Sequence, residues 1–134
     1  MEDCIFCKLA NGVFETNTLF EDENFRVIFD ASPATVGHVL IIPKEHYANV
    51  FEIPEDLAGK AYILAKKVAA VLKEVTGCNG VNILQNNGEA AGQTVFHFHM
   101  HVIPRYDEKI ITWVQKEAEQ NKIDEIIEKA KDLF

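Results

Sequence analysis

The segment Phe96-His97-Phe98-His99-Met100-His101-Val102 alternates histidine with a bulky apolar residue over seven positions. That is the period of an extended strand with one buried face and one chemical face. Same-side residues on a strand rise by roughly 6.6 Å per pair. The spacing therefore predicts three imidazoles in a row on one face, with Phe96, Phe98, Met100 and Val102 in a core on the other. A single histidine is most often a satisfied structural residue. Three at period two, in a chain with only five histidines, call for chemistry.

The rest of the chain frames that strand. Residues 4–11 read as a short helical turn ending at Asn11-Gly12. Thr18-Leu19-Phe20 and Phe25–Phe29 read as strands around the turn Glu21-Asp22-Glu23-Asn24. Val39-Leu40-Ile41-Ile42 reads as a buried strand stopped by Pro43. Pro54 then opens a long helix with Leu57, Ala61, Leu64, Ala65, Val68, Leu72 and Val75 at three- and four-residue spacing, and Gly77 as its C-cap. Val81–Leu84 is a further strand, Asn86–Gln93 a polar loop, and residues 95–103 the histidine strand, closed by Pro104. Asn121 is placed to cap a last helix carrying Ile123, Ile126, Ile127, Ala130 and Leu133, which would pack on the sheet or on a partner subunit. Short links on one side and a long helix in the middle predict an α+β domain built on a mostly antiparallel sheet.

Bulk properties narrow the function classes. The 134 residues suit one domain, 1–134, with a core over about 4–105 and an extension over 106–134. A net charge of −8 opposes sequence-independent binding to a nucleic acid polymer but permits a small nucleotide in a local pocket. No apolar run approaches the ~20 residues a membrane span needs, and Met1-Glu2-Asp3-Cys4 lacks a basic, then apolar, leader. A cytoplasmic location is expected. In that setting Cys4 and Cys7, a C-x-x-C pair, point to metal or redox chemistry before a disulfide, with Cys78 an inert thiol.

Imidazole can act at neutral pH as nucleophile, acid or base. His99, with a histidine on either side, is the central candidate. Ser32 stands in no nucleophile-elbow context. In Asn86-Asn87-Gly88-Glu89-Ala90-Ala91-Gly92-Gln93-Thr94, neutral donors and two glycines suit a phosphate. The same Asn87-Gly88 pair also reads as a plain turn.

His97-Phe98-His99-Met100-His101-Val102-Ile103 resembles the signature of the histidine triad (HIT) superfamily, with Gly92-Gln93-Thr94-Val95 before it. Cys4-Ile5-Phe6-Cys7-Lys8, Phe29–Pro33, Gly37–His46 and Asn86-Asn87-Gly88 are similar to family segments in the same order, closest to the Hint-like purine nucleoside phosphoramidases of the zinc-containing bacterial type. The resemblance implies a five-stranded HIT-like fold, a homodimer, and a two-step nucleotidyl transfer at the α-phosphorus of a purine nucleotide conjugate. By the same resemblance His99 is the nucleophile, and His101 contacts the phosphate together with Asn86, Gln93 and Thr94. His38 orients the catalytic ring and Asp30 holds the ribose. Ile5, Phe6, Phe25 and Ile28 would flank the base, although apolar residues there are equally explained as core. It also implies a structural zinc held by Cys4, Cys7, His46 and His97, a sound tetrahedral set. A redox pair, or two idle thiols beside an exposed His46, are the rival readings. A dinucleoside polyphosphate hydrolase, or a nucleotide-binding scaffold using the charged C-terminal helix, are the alternatives for function. The extension past Trp113 departs from the short tails of the best-known phosphoramidases.

Overall fold

The computed structural model describes residues 3–107, 111 and 113–134. Met1 and Glu2, part of the stretch read for a leader, lie outside them. Helix α1 (Ile5–Ala10) precedes strands β1 (Thr18–Glu21), β2 (Phe25–Phe29) and β3 (Val39–Pro43). Helix α2 (Glu55–Thr76), strand β4 (Gly80–Leu84), a 3-10 turn (Glu89–Ala91), strand β5 (Met100–Arg105) and helix α3 (Gln120–Ala130) follow. The strands form one sheet in the order β1-β2-β3-β5-β4, antiparallel throughout. This is the α+β arrangement that the sequence leads one to expect.

The sheet has two different faces because each strand alternates. Phe25 and Val27 of β2, Val39 and Ile41 of β3, and Met100 and Val102 of β5 pack with Ala61, Leu64, Ala65, Val68 and Leu72 of α2. Ile28, Leu40 and Ile42 point the other way, under Phe6, Leu9 and Ala10 of α1. Central β3 is thus buried along its whole length, which explains its unbroken apolar run. Glu55 and Asp56 sit favourably in the first turn of α2. Gly77 ends the helix at φ +67°, its N–H donating to the Lys73 carbonyl. Val75 is 70% exposed and leaves the expected apolar stripe.

Strand β5 begins five residues later than expected and runs through Pro104. Beside Met100 the partner is Ile41, and two residues further along β3 stands Pro43, which has no N–H to donate. The ladder therefore stops. The N–H of Phe98 turns instead to the Tyr47 carbonyl at 2.6 Å. At the other end, the Pro104 carbonyl accepts from Thr35 Oγ1 at 2.6 Å, so its missing donor lies on the β3 side, where β3 has already begun at Val39 opposite Val102. No ladder bond is lost there, and the proline is tolerated. Phe96, outside the ladder, is half-exposed rather than a core residue.

The C-terminal helix departs from the expected cap and from one of the two packing alternatives, that on the sheet. Helix α3 starts from Glu119, so Asn121 lies inside it and caps nothing, and none of its residues is buried. It does not pack on the sheet; its face of Ile123, Ile126 and Ile127 is open. No helix among the described residues is long and apolar enough to cross a membrane.

Gly37, at the entry to β3, has φ +92°, and a Cβ there would stand 3.1 Å from Pro104 Cγ and 3.5 Å from Thr76 Cγ2. Gly37→Ala is expected to lower stability by about 1–3 kcal/mol through left-handed strain and this contact. Urea unfolding with an unchanged m-value checks it, and a midpoint equal to wild type would refute it.

Candidate active site and metal centre

Sheet register gathers residues distant in the chain onto the face away from α2. His101, in β5, stands opposite Leu40 of β3 and Leu84 of β4. His38 lies just before β3 and Asp30 just after β2, joined by the Asp30 N–H to the His38 carbonyl at 3.0 Å. Ring centroids of His99 and His101 are 5.1 Å apart, as are those of His38 and His101, and the edge of Phe6 meets His99 at 4.8 Å.

Backbone groups determine where each imidazole proton sits. The Ala34 N–H donates to His38 Nδ1 at 2.9 Å, so the proton of neutral His38 is on Nε2, from which it is donated to His101 Nδ1 at 2.9 Å. His101 then carries its own proton on Nε2. The Nδ1–H of His99 donates to the His97 carbonyl at 2.7 Å, which leaves His99 Nε2 as a bare lone pair. Burial, the first cause in each case, lowers the pKa of His38 and His99, and takes His101 down to about 4 with help from its histidine neighbours. All three are neutral at neutral pH. The row thus offers one base nitrogen, on His99, beside one ring N–H donor, on His101.

Asp30 Oδ1 accepts from the Ser32 N–H at 2.8 Å, while Oδ2 lies 3.5 Å from His38 Nε2. Oδ1 shapes the turn, and Oδ2 retains room to accept from a ligand hydroxyl. Asp30, His38 and His101 are close enough to resemble a metal triad. The tautomers argue otherwise, because the His38 nitrogen facing the cluster carries the proton. We read it as a hydrogen-bond relay.

The loop before the histidines divides its polar groups. Asn86 is half-buried, Thr94 is exposed, and no hydrogen bond among the described residues uses the side chain of either. Gly88 and Gly92 have φ +92° and +90°. Gln93 instead holds the loop together. Only 2% exposed, it donates to the carbonyls of Ala48 and Val95 at 2.6 and 3.0 Å and accepts from the Gly88 N–H at 2.8 Å. Both amide hydrogens are consumed in these bonds, so the phosphate contact expected of it is not available in this arrangement. Among the apolar candidates, Phe6 and Ile28 pack together on the histidine face and Ile5 is half-exposed beside them. Phe25 does not join them. Its ring is buried on the opposite face against α2, because it is three residues, an odd number, from Ile28.

Cys4, Cys7, His46 and His97 meet beside the first histidine. His97 Nδ1 is 3.3 Å from both sulfurs and 3.2 Å from His46 Nδ1, and Cys7 Sγ is 3.3 Å from His46 Nδ1. One ring nitrogen cannot satisfy three such neighbours by hydrogen bonding. A tetrahedral ion with Zn–S of about 2.3 Å and Zn–N of about 2.0–2.1 Å would separate its ligand atoms by roughly 3.3–3.8 Å, close to what is observed. The Nε2–H of His97 is held on the Pro43 carbonyl at 2.8 Å, leaving Nδ1 bare toward the cluster, as outer-shell support of a metal ligand requires. Cys4 also caps α1, its sulfur accepting from the Cys7 N–H.

Sequence reasoning did not find the Ala34 N–H or the His97 and Pro43 carbonyls, since every residue carries such groups. It also passed over Arg26, whose guanidinium Nε is buried without a partner among the described residues.

Comparison with known proteins identifies the family. The HIT domain model matches residues 11–108. Protein hit of Bacillus subtilis is 45% identical over 105 residues, 78% of this chain and 72% of that protein. Adenosine 5'-monophosphoramidase HNT1 of Saccharomyces cerevisiae is 38% identical over 123 residues, 90% of this chain and 75% of that protein. A crystal structure of a zinc-bound histidine triad family protein from Mycobacterium smegmatis superposes with a TM-score of 0.78 at 32% identity, covering 96% of this chain and 93% of that one. With the family model spanning most of its length and relatives this similar, the chain belongs to the HIT domain family.

Proposed function

We propose that this protein is a nucleotide hydrolase that cleaves nucleoside 5′-monophosphate conjugates, P–N or P–O linked, through a nucleotidyl-His99 intermediate. The observation that carries the reading is the bare His99 Nε2, held unprotonated by the Nδ1–H bond to the His97 carbonyl. That nitrogen attacks the α-phosphorus and the leaving group departs with the bonding pair, taking a proton from solvent. Water then breaks the P–N bond to His99 and returns the neutral ring. His101 Nε2–H donates to a phosphoryl oxygen as charge develops, with Asn86 and Thr94 as further donors. His38 acts on His101 by accepting from Ala34 and donating to its Nδ1. Asp30 takes the ribose hydroxyls, and Phe6 and Ile28 meet the base. The relative named an adenosine 5'-monophosphoramidase supports this substrate class.

Cys4, Cys7, His46 and His97 would hold a structural zinc, whose chemistry here is to tie four ligands together. With no open position, it leaves water activation to other groups. The open apolar face of α3 supports a homodimer in which that helix meets a second copy, and equally the use of the protein as a scaffold. Side-by-side assay of an adenosine 5′-phosphoramidate and a diadenosine polyphosphate tests the reading. Faster turnover of the phosphoramidate is expected. Turnover of the polyphosphate alone would move the protein to that other class, and binding of AMP with no turnover of either would favour the scaffold.

A further inference from the structure

Arg26 lies on the same strand face as Ile28, with the Asp30 carboxylate beyond it at the strand's end. A cavity of about 630 Å³ is lined by Arg26, Phe29, Asp30 and Ala31, with Gly12 and Glu15 also on its wall. The guanidinium is underused by the fold. One Nη2–H donates to Glu21 Oε1 at 2.9 Å, and Nε is buried with no partner among the described residues. Glu21 is itself shared, its second oxygen holding Lys44 Nζ at 2.8 Å. Two cations thus face one carboxylate, and Arg26 keeps charge and donors for something else. A buried unsatisfied donor in a native fold demands such an explanation.

Building on the proposed nucleotide activity, we infer that Arg26 is a specificity-determining residue that reads the base, favouring guanine over adenine. With the ribose on Asp30, a base whose inner edge meets Phe6 and Ile28 turns its other edge into this cavity toward Arg26, whose Cα is about 13 Å from that of Asp30 at four residues of strand. A purine nucleoside and the arginine side chain together cover that span. Guanine presents O6 and N7 as adjacent acceptors, which the fork of a guanidinium meets with two donors; adenine puts an amino donor where O6 would be. The Glu15 carboxylate on the same wall supplies the acceptor that guanine N1–H and N2–H require and adenine has no use for. A phosphate suits the cavity poorly, because Asp30 and Glu15 would both repel it.

The test is the ratio of kcat/KM for guanosine and adenosine 5′-phosphoramidates, with GMP and AMP binding measured by calorimetry. Wild type is expected to favour guanosine by about tenfold. Arg26→Met is expected to bring the ratio near one, and Arg26→Lys, which keeps charge but not the fork, to fall between. A ratio does not depend on how much of a variant is folded. Equal values in wild type, or a preference that survives Arg26→Met, overturns the inference while leaving the hydrolase reading intact. Preferential GMP binding without turnover overturns the hydrolase reading and supports the base reading. Binding of neither nucleotide overturns both.

Discussion

His99→Ala is expected to lower kcat for nucleoside phosphoramidate hydrolysis by about 10⁴–10⁶-fold, the scale seen when a covalent nucleophile is removed. No neighbour can replace it. His101 Nδ1 already accepts from His38, and its other nitrogen carries the proton. His97 directs Nδ1 to the cysteine cluster and Nε2 to Pro43. Loss of the ring also removes an edge contact with Phe6, so a drop in stability of about 1–2 kcal/mol is anticipated and has to be separated from chemistry. His99→Gln fills more of the space and serves as the second variant. Both should still bind AMP, and mass spectrometry after acid quench should show a nucleotidyl adduct on wild type alone. Retention of more than about 1% of kcat by both variants would eliminate His99 as the nucleophile.

Purified protein is expected to carry one zinc per chain, and stripping it should lower Tm by roughly 10–20 °C. The size follows from linkage: a metal at 1,000 times its Kd contributes about 4 kcal/mol, and each kcal/mol corresponds to roughly 3–5 °C of Tm in a chain of this length. The ligands span α1, the segment after β3 and the approach to β5. Losing the ion frees all three at once and leaves His46 and His97 with facing nitrogens 3.2 Å apart. Cys7→Ser should reproduce the loss of both metal and stability. Turnover by the stripped protein that remains folded at low temperature should persist, because the proposed reaction runs through His99. Elemental analysis showing no bound metal after growth in zinc-replete medium, with Tm insensitive to chelator, would sink the assignment.

Much of the candidate site was legible because its signals are local. Period two from Phe98 to Val102 sorts side chains onto two faces wherever the chain is extended, and it held even at His97 and His99, outside the ladder. The apolar spacing in α2 foretold Ala61, Leu64, Ala65, Val68 and Leu72 as its buried side. Illegible were the features set by distant partners. Phe25 and Ile28 are both apolar residues of one strand, and only the positions of α1 and α2 decide which of them faces the histidines. Gln93 reads as a phosphate donor until Ala48 and Val95 are seen to occupy its amide. Helix α3 has an apolar stripe that none of the described residues buries.

Sequence alone determined the row of imidazoles, the alternation that sets them on one face, and the presence of four metal-type ligands, since each depends on residue identity and short-range spacing. Tertiary structure alone decided which imidazole nitrogen is free. That choice rests on the His97 and Pro43 carbonyls and the Ala34 N–H, groups common to nearly every residue and meaningful only once the fold has aimed and desolvated them.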